Sequence, residues 1–522
     1  MGLVHDLARA LPDVKTSDDP ADRVAYARDL WPRHHLAVRA GNVAEHRPAG
    51  IVWPTSTADV ARIVRWAHDT GTPVVPFGAG SGVCAGVLPH DGIVVLDLKK
   101  MTAWRDLDPT ARTLDVEAGQ MGLPLEEDLN RKGFTLGHFP SSILCSTVGG
   151  WVAARSAGQC SGLYGKIEDM CLALECVTGT GEVVTLRHRT SGPNLIPLVV
   201  GSEGTLGIVT SATLRLHAKP AARAFAAFTF PTTEHGWEAM RVMFQAGLRP
   251  AVSRLYDPFD AMLARRGSVK KGGADSGESP GLGAAMLRRI LRRPGAINDL
   301  LEGSFGSKML GGALVVVIFE GDGDQPSRDV EDARALFERM GARYDGEGPA
   351  RKWLLHRYSV SYRQAPVFGA GLFSDTMEVA APWSKLRALY DGVRNALGKH
   401  VFVMAHLSHA YPDGCCIYFS FAGTAASGSG NWDARCEETY DRAWKAAMAA
   451  AIEAGGTLAH HHGVGRSKAP RMAHELGAGG VDTVRALMKA FDPKGILNPG
   501  NLLPPPSPEP YIADARPKEL TS

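Results

Sequence analysis

The stretch Gly201-Ser202-Glu203-Gly204-Thr205-Leu206-Gly207-Ile208-Val209 decides how the first half of this chain is read. It sets glycines between apolar runs, the composition of a tight loop that opens into a strand. Upstream, Pro76-Phe77-Gly78-Ala79-Gly80-Ser81-Gly82 is a second such loop, and downstream His460-His461-His462-Gly463-Val464-Gly465 is a third. In each, missing side chains let backbone amides approach a ligand.

The loop at Pro76–Gly82 follows a short apolar run, Thr72 to Val75, and resembles the turn of a dinucleotide-binding βαβ unit. That unit needs a helix next, with its N-terminus at the pyrophosphate. Here Val83-Cys84-Ala85-Gly86-Val87-Leu88-Pro89 spoils a helix, and Ile93 to Leu98 reads as a strand. A phosphate at this loop would therefore be held by a nest of N–H groups. On its own, such a stretch is equally a structural turn.

Further along, Ser146-Thr147-Val148-Gly149-Gly150-Trp151 and Ala154-Arg155-Ser156-Ala157 mix small residues with hydroxyls, which suits a helix start or loop flush against a flat ring. Leu172 to Thr178, Gly179-Thr180-Gly181 and Glu182 to Leu186 read as a hairpin. Short strands separated by turns and helices make the region α+β.

The order and wording of these motifs resemble the FAD-binding domain of the vanillyl-alcohol oxidase superfamily, also named for p-cresol methylhydroxylase (PCMH). The likeness begins near Ala49-Gly50-Ile51-Val52-Trp53-Pro54-Thr55 and runs to Val209. It implies that Pro76, Phe77, Gly78, Ala79, Gly80, Ser81 and Gly82 bind the FAD pyrophosphate. It also implies that Ser141, Ser142, Ser146, Thr147, Ala154, Arg155, Ser156, Ala157, Glu203, Gly204, Thr205, Leu206, Gly207, Ile208 and Val209 surround the flavin. Relatives with covalent FAD often carry His in the glycine-rich loop; Ser81 in that place implies noncovalent FAD.

Composition fits a globular enzyme. Of 522 residues, 44% are hydrophobic and 21% charged, and a length beyond one ordinary core implies two or three domains. A net charge of +2 gives no reason to invoke nucleic acid. The 8 cysteines lack CxxC spacing, so they read as reduced thiols of a cytoplasmic protein. No signal-like run or span of about 18 apolar residues is present.

The expected organisation is a helical arm over 1–45, a PCMH-type FAD-binding domain over 46–217 and a substrate or cap domain over 218–456. A segment over 457–503 completes the active site, and a flexible tail follows over 504–522. The cap is expected to be an antiparallel sheet covered by helices, with strands near Ala224 to Phe230, Gly312 to Glu320 and Leu372 to Val379. Between them, Gly267 to Gly283 is rich in Gly, Ser and Lys, and Met286 to Arg293 sets Arg288, Arg289, Arg292 and Arg293 on a helix with apolar spacing. That helix is either a solvated face or a peripheral membrane contact.

Two branches of the superfamily compete for the chemistry. FAD-linked D-2-hydroxy-acid dehydrogenases of the D-lactate or glycolate type carry a His-x-Gly-Asp-Gly-Asn-x-His metal motif. Here the corresponding run is His409 to Tyr418, lacking the Asn and the second His, so no metal is expected, although His406, His409 and the His triplet are conceivable ligands. The likeness to alkyl-dihydroxyacetone-phosphate synthases spans nearly the whole chain. It includes Gly137-His138, Ala381-Pro382-Trp383, Ile417-Tyr418-Phe419 and the His-His-His-Gly-Val-Gly stretch.

That second resemblance implies ether-lipid synthesis through a flavin N5 adduct. The acyl group of acyl-dihydroxyacetone phosphate is exchanged for a fatty alcohol, with those lipids as the substrate partners and a homodimer as the expected assembly. On this chain it assigns Tyr418 as acid/base, Arg363 to the substrate phosphate and Arg254 to a required cation; of His460, His461 and His462, which cannot all share one role, His461 or His462 is expected near the flavin to assist the proton transfers, with the others holding the loop. Each has a plainer reading: a packed strand Tyr, surface or structural arginines, and a hydrogen-bonded loop. An extended backbone would put His460 and His462 on one face and His461 on the other.

Overall fold

The computed structural model describes residues 2–42, 46–90, 92–188, 191–266, 288–289, 291–301, 303–359, 364–426 and 428–504. Arg363, Gly267–Gly283 and the tail beyond Pro504 lie outside the described residues.

The first domain is built on two sheets. Gly50–Trp53, Val94–Asp97 and Val74–Phe77 run parallel, and the helix Thr57–Thr70 crosses from Gly50–Trp53 to Val74–Phe77. That helix begins where the Ser56 hydroxyl accepts the Asp59 amide at 3.1 Å and ends at Gly71, whose φ of 70° suits glycine. Val60, Ile63, Val64 and Ala67 form its buried stripe. The second sheet has the order Trp104–Asp108, Thr113–Glu117, Ile208–Arg215, Cys171–Val177, Val183–Arg187, all antiparallel. The hairpin expected around Gly179-Thr180-Gly181 is present, with Val177 opposite Val183.

The N-terminal arm is not purely helical. Lys15–Ser17 adds an antiparallel strand to Gly50–Trp53, because three residues with free edge groups can extend that sheet. Farther on, Arg33 reaches across the molecule and grips Asp441 with two hydrogen bonds of 2.9 and 3.0 Å. The amide of Leu30 donates to Gly82 O at 2.9 Å, tying the arm to the glycine-rich loop.

The second domain carries an antiparallel seven-stranded sheet covered by helices, as its sequence pattern implies. Its order is Arg343–Gly346, Ala222–Phe230, Ala313–Gly321, Val252–Tyr256, Phe402–Ala410, Gly414–Gly423, Phe373–Pro382. The helices Leu386–Gly398 and Trp432–Glu453 pack on one face through Leu389, Val393, Tyr440 and Ala443, against Phe373, Val379, Phe419 and Phe421. In the basic segment, Arg288 donates to Ala370 O at 2.7 Å, and both Arg288 and Arg292 lie over the Trp432 ring, so these two arginines serve contacts within the chain. No described helix is long and apolar enough to cross a membrane.

One buried ion pair sets the register of the strands that matter below. Asp257 accepts Arg394 Nη1 at 2.9 Å, the Ala405 amide at 2.6 Å and the Asp260 amide at 2.8 Å, joining the end of Val252–Tyr256 to Phe402–Ala410 and to helix Leu386–Gly398. Burial pushes its carboxyl up, with Arg394 opposing. Arg394→Met leaves that buried carboxylate uncompensated. The expected loss is about 3–5 kcal/mol, read from the denaturant midpoint near neutral pH.

Candidate active site

A cavity of about 570 Å³ lies between the loops of the first domain and one face of the seven-stranded sheet. Its first wall is the loop Pro76–Gly82. The five amides of Gly78–Gly82 find no acceptor among the described residues, an arrangement that leaves a row of donors for an anion. Glycine is required here by space as well as by conformation. A Cβ on Gly78 would lie 2.5 Å from Thr147 Oγ1, and one on Gly204 would lie 2.4 Å from Pro76 Cγ.

Most of the other segments expected to surround a flat ring line the same cavity. Ser141, Ser142, Ser146, Thr147, Ala154, Ser156, Ala157, Glu203, Gly204, Gly207, Ile208 and Val209 line the cavity. Arg155, Thr205 and Leu206 do not. Arg155 turns its guanidinium to Pro197 O at 3.2 Å and Val200 O at 3.0 Å, while Thr205 Oγ1 donates to Ser202 O at 2.8 Å. These three shape the loop from behind. The amide nest and the small-residue wall fit the pyrophosphate and ring system of FAD.

The opposite wall is one row of the sheet. Tyr256 faces His406, His406 faces Tyr418, and Tyr418 faces Glu378 across successive strands. His406 and Tyr418 stack with ring centroids 4.7 Å apart at 17°. Tyr418, His406, Arg254, His461 and His462 line the cavity; His460 stands behind them.

Glu378 shapes the histidine loop. Its carboxylate accepts the amides of His460 at 2.8 Å, His461 at 3.1 Å and His462 at 2.8 Å. Three consecutive amides converging on one carboxylate require a bent backbone, so the extended geometry expected for the triplet does not occur. Glu203 holds the other end of the same loop, accepting Val464 N at 2.5 Å, Gly465 N at 2.9 Å and Asn501 Nδ2 at 2.9 Å. Burial pulls Glu378 up, but neighbouring imidazoles, Lys468 and these amides outweigh it and hold its carboxyl below the ordinary value. The fully buried Lys468 stays charged because Cys84, Glu378 and Glu203 oppose the cost of its burial.

The bend brings titratable groups into one chain of hydrogen bonds. Tyr418 Oη is 2.7 Å from His461 Nε2 and 2.9 Å from His409 Nε2. His461 Nδ1 is 3.0 Å from His460 Nδ1, and His409 Nδ1 is 2.9 Å from Ser161 Oγ. Burial drives His409 and His461 well below the usual imidazole value and Tyr418 well above the usual phenol value. All three therefore rest uncharged near neutrality, each able to pass or receive a proton.

Glu378, Cys416, His460 and His461 place donor atoms within 4.8 Å of one another. The Glu378 oxygens are already taken by three amides, and burial pushes the Cys416 thiol well above its ordinary value. This is a hydrogen-bonded loop anchor; of the His406, His409 and His-triplet set considered from the sequence it contains His460 and His461.

Arg254 stands on the cavity wall beside Tyr256, its Nε without a hydrogen-bond partner among the described residues. Arg357, not singled out from the sequence, also lines the cavity. Sequence reasoning also missed Glu378, Lys468, Ser161 and Asp29, whose buried Oδ2 lacks a partner among the described residues. The one local signal for Glu378 was a charge inside an apolar strand.

Residues 48–187 match the FAD binding domain family, and residues 219–502 match the C-terminal domain of FAD linked oxidases. With the amide nest and flat small-residue wall, these matches define an FAD flavoenzyme. The chain is 32% identical to alkyldihydroxyacetonephosphate synthase of Trypanosoma brucei brucei, covering 92% of this chain and 76% of that one. It is 31% identical to the enzyme of the same name from Dictyostelium discoideum, covering 95% and 79% respectively. A solved alkyldihydroxyacetonephosphate synthase shares 28% identity over 95% of this chain and 84% of its own, with a TM-score of 0.72. The chain belongs to the alkyldihydroxyacetonephosphate synthase family.

Glu203 gives the site a pH signature. Burial, opposed by the loop amides, pushes its carboxyl up to about 7 from an ordinary 4.5. An acid raised in the folded state binds its proton more tightly there, so its contribution to stability falls as pH rises from 4.5 through 7. Relative to Glu203→Gln, the natural protein is expected to lose about 3 kcal/mol across that window, measured by urea unfolding at a series of pH values.

Proposed function

We propose that this protein exchanges the acyl group of acyl-dihydroxyacetone phosphate for a fatty alcohol without net oxidation, using noncovalently held FAD. The observation that carries this reading is the half-buried Tyr418, its hydroxyl held between two neutral imidazoles on the wall opposite the FAD loops. FAD, when bound, supplies an electron-deficient ring that supports the exchange. The chain's own residues supply binding, water exclusion and proton movement.

Arg254 and Arg357 are cations on the cavity wall suited to a phosphate dianion, with Arg363 as the arginine assigned by family resemblance. Tyr418 Oη takes a proton from the carbon beside the ketone while its own proton passes to His461 Nε2. The fatty acid leaves with its ester oxygen and the alcohol oxygen takes its place. A proton that has exchanged with solvent through the Tyr418–His461 relay is then returned to the carbon by Tyr418, and the alcohol's proton balances the acid released. Electrons are neither gained nor lost. Burial supports each transfer, since neutral His461 can accept and the raised Tyr418 is protonated at rest.

Incubated with acyl-dihydroxyacetone phosphate and a fatty alcohol, without an electron acceptor, the protein is expected to form the alkyl ether, detected by mass spectrometry. Tyr418→Phe should lower the rate about 10²–10⁴-fold. No product, with flavin bleaching on a D-2-hydroxy acid, would instead assign the dehydrogenase reaction. Acid precipitation should release the flavin into the supernatant; yellow colour in the pellet would contradict noncovalent binding at Ser81 and its neighbours.

A further inference from the structure

Ser408 and His409 are adjacent in sequence and both line the cavity, which an unbroken strand does not allow. A bulge between Ser408 and Ala410 makes it possible, with His409 at φ 52°, a conformation uncommon outside glycine. The irregularity re-aims one imidazole. His409 Nε2 is then 2.9 Å from Tyr418 Oη, and Nδ1 is 2.9 Å from the hydroxyl of Ser161, contributed by the FAD-binding domain. Ser161 Oγ is also 3.1 Å from Tyr411 Oη.

Tyr418 has one hydroxyl proton and two facing Nε2 atoms. One imidazole must accept that proton and the other must donate to the same oxygen. On the His461 side, Nδ1 lies 3.0 Å from His460 Nδ1, which can accept, and 3.7 Å from the negative Glu378 carboxylate; a proton on His461 Nδ1 suits both and leaves Nε2 free to accept. No carboxylate contacts His409 among the described residues. Its Nδ1 meets a serine hydroxyl, which can donate to it and so fix the proton on Nε2.

We propose that His409, locked by Ser161 in its Nε2–H form, is a positioning residue that donates to Tyr418 and directs the tyrosine's own proton to His461. The proposal rests on the reading of Tyr418 as the acid/base. When Tyr418 gives its proton to His461, the His409 N–H remains on the phenolate oxygen and stabilises it. No further proton or electron is needed. The latch also makes the geometry depend on correct docking of the two domains, since Ser161 and His409 belong to different ones.

Two readouts test this. In ¹⁵N-histidine-labelled protein, the His409 signals, assigned by their loss in His409→Gln, should show the Nε2–H tautomer, shifting to a mixture in Ser161→Ala. This measurement needs no substrate, so it stands even if ether formation fails. In turnover, His409→Gln keeps an N–H donor and should fall less than about 10-fold in kcat, whereas His409→Phe removes it and should fall about 10²-fold at unchanged KM. A resting Nδ1–H tautomer or imidazolium at His409 would overturn the proposal. So would equal losses in the Gln and Phe variants with natural melting temperatures.

Discussion

The active site depends on two buried carboxylates that share one loop. Glu378, from the cap sheet, gathers the amides of His460, His461 and His462, while Glu203, from the FAD-binding domain, gathers those of Val464 and Gly465. Each carboxylate would be costly to bury alone. Amide donors satisfy the oxygens, and Lys468 places a compensating charge close enough to influence both. Because the carboxylates come from different domains, the histidine loop acquires its shape only when the domains are docked.

From that loop the chemistry follows by neighbourhood. Bending the triplet carries His461 to Tyr418, and the cross-strand register puts Tyr418 between His406 and Glu378. Apolar strands and helices behind the row remove water, which leaves the imidazoles neutral and the phenol protonated. Facing them, the amides of Gly78–Gly82 and the small residues around Thr147 and Ala157 leave room for FAD. Acid/base groups and the FAD loops thus meet across one cavity.

Much of this architecture was legible locally. Glycine loops showed where the backbone turns tightly and lines the cavity, and the strand around Tyr418 showed as a run of apolar and aromatic residues. The groups that organise the site were less visible because their partners lie far away in sequence. Glu378 acts on amides more than 80 positions downstream, and Glu203 on amides about 260 positions downstream. Lys468 follows an ordinary-looking Arg466-Ser467 pair yet is fully buried. The bend of the triplet was not visible because local sequence carries no trace of a distant carboxylate. His409 looked like the remnant of a metal motif; the bulge that turns it toward Tyr418 leaves no pattern in composition.

The central claim is redox-neutral exchange with Tyr418 moving a proton beside the ketone. It is tested most directly with acyl-dihydroxyacetone phosphate carrying two deuteriums on the ester-bearing carbon, followed by mass spectrometry of the ether product. The account expects one deuterium to be lost to solvent, with no electron acceptor consumed. Ether that keeps both deuteriums, or turnover that requires an acceptor, would contradict it.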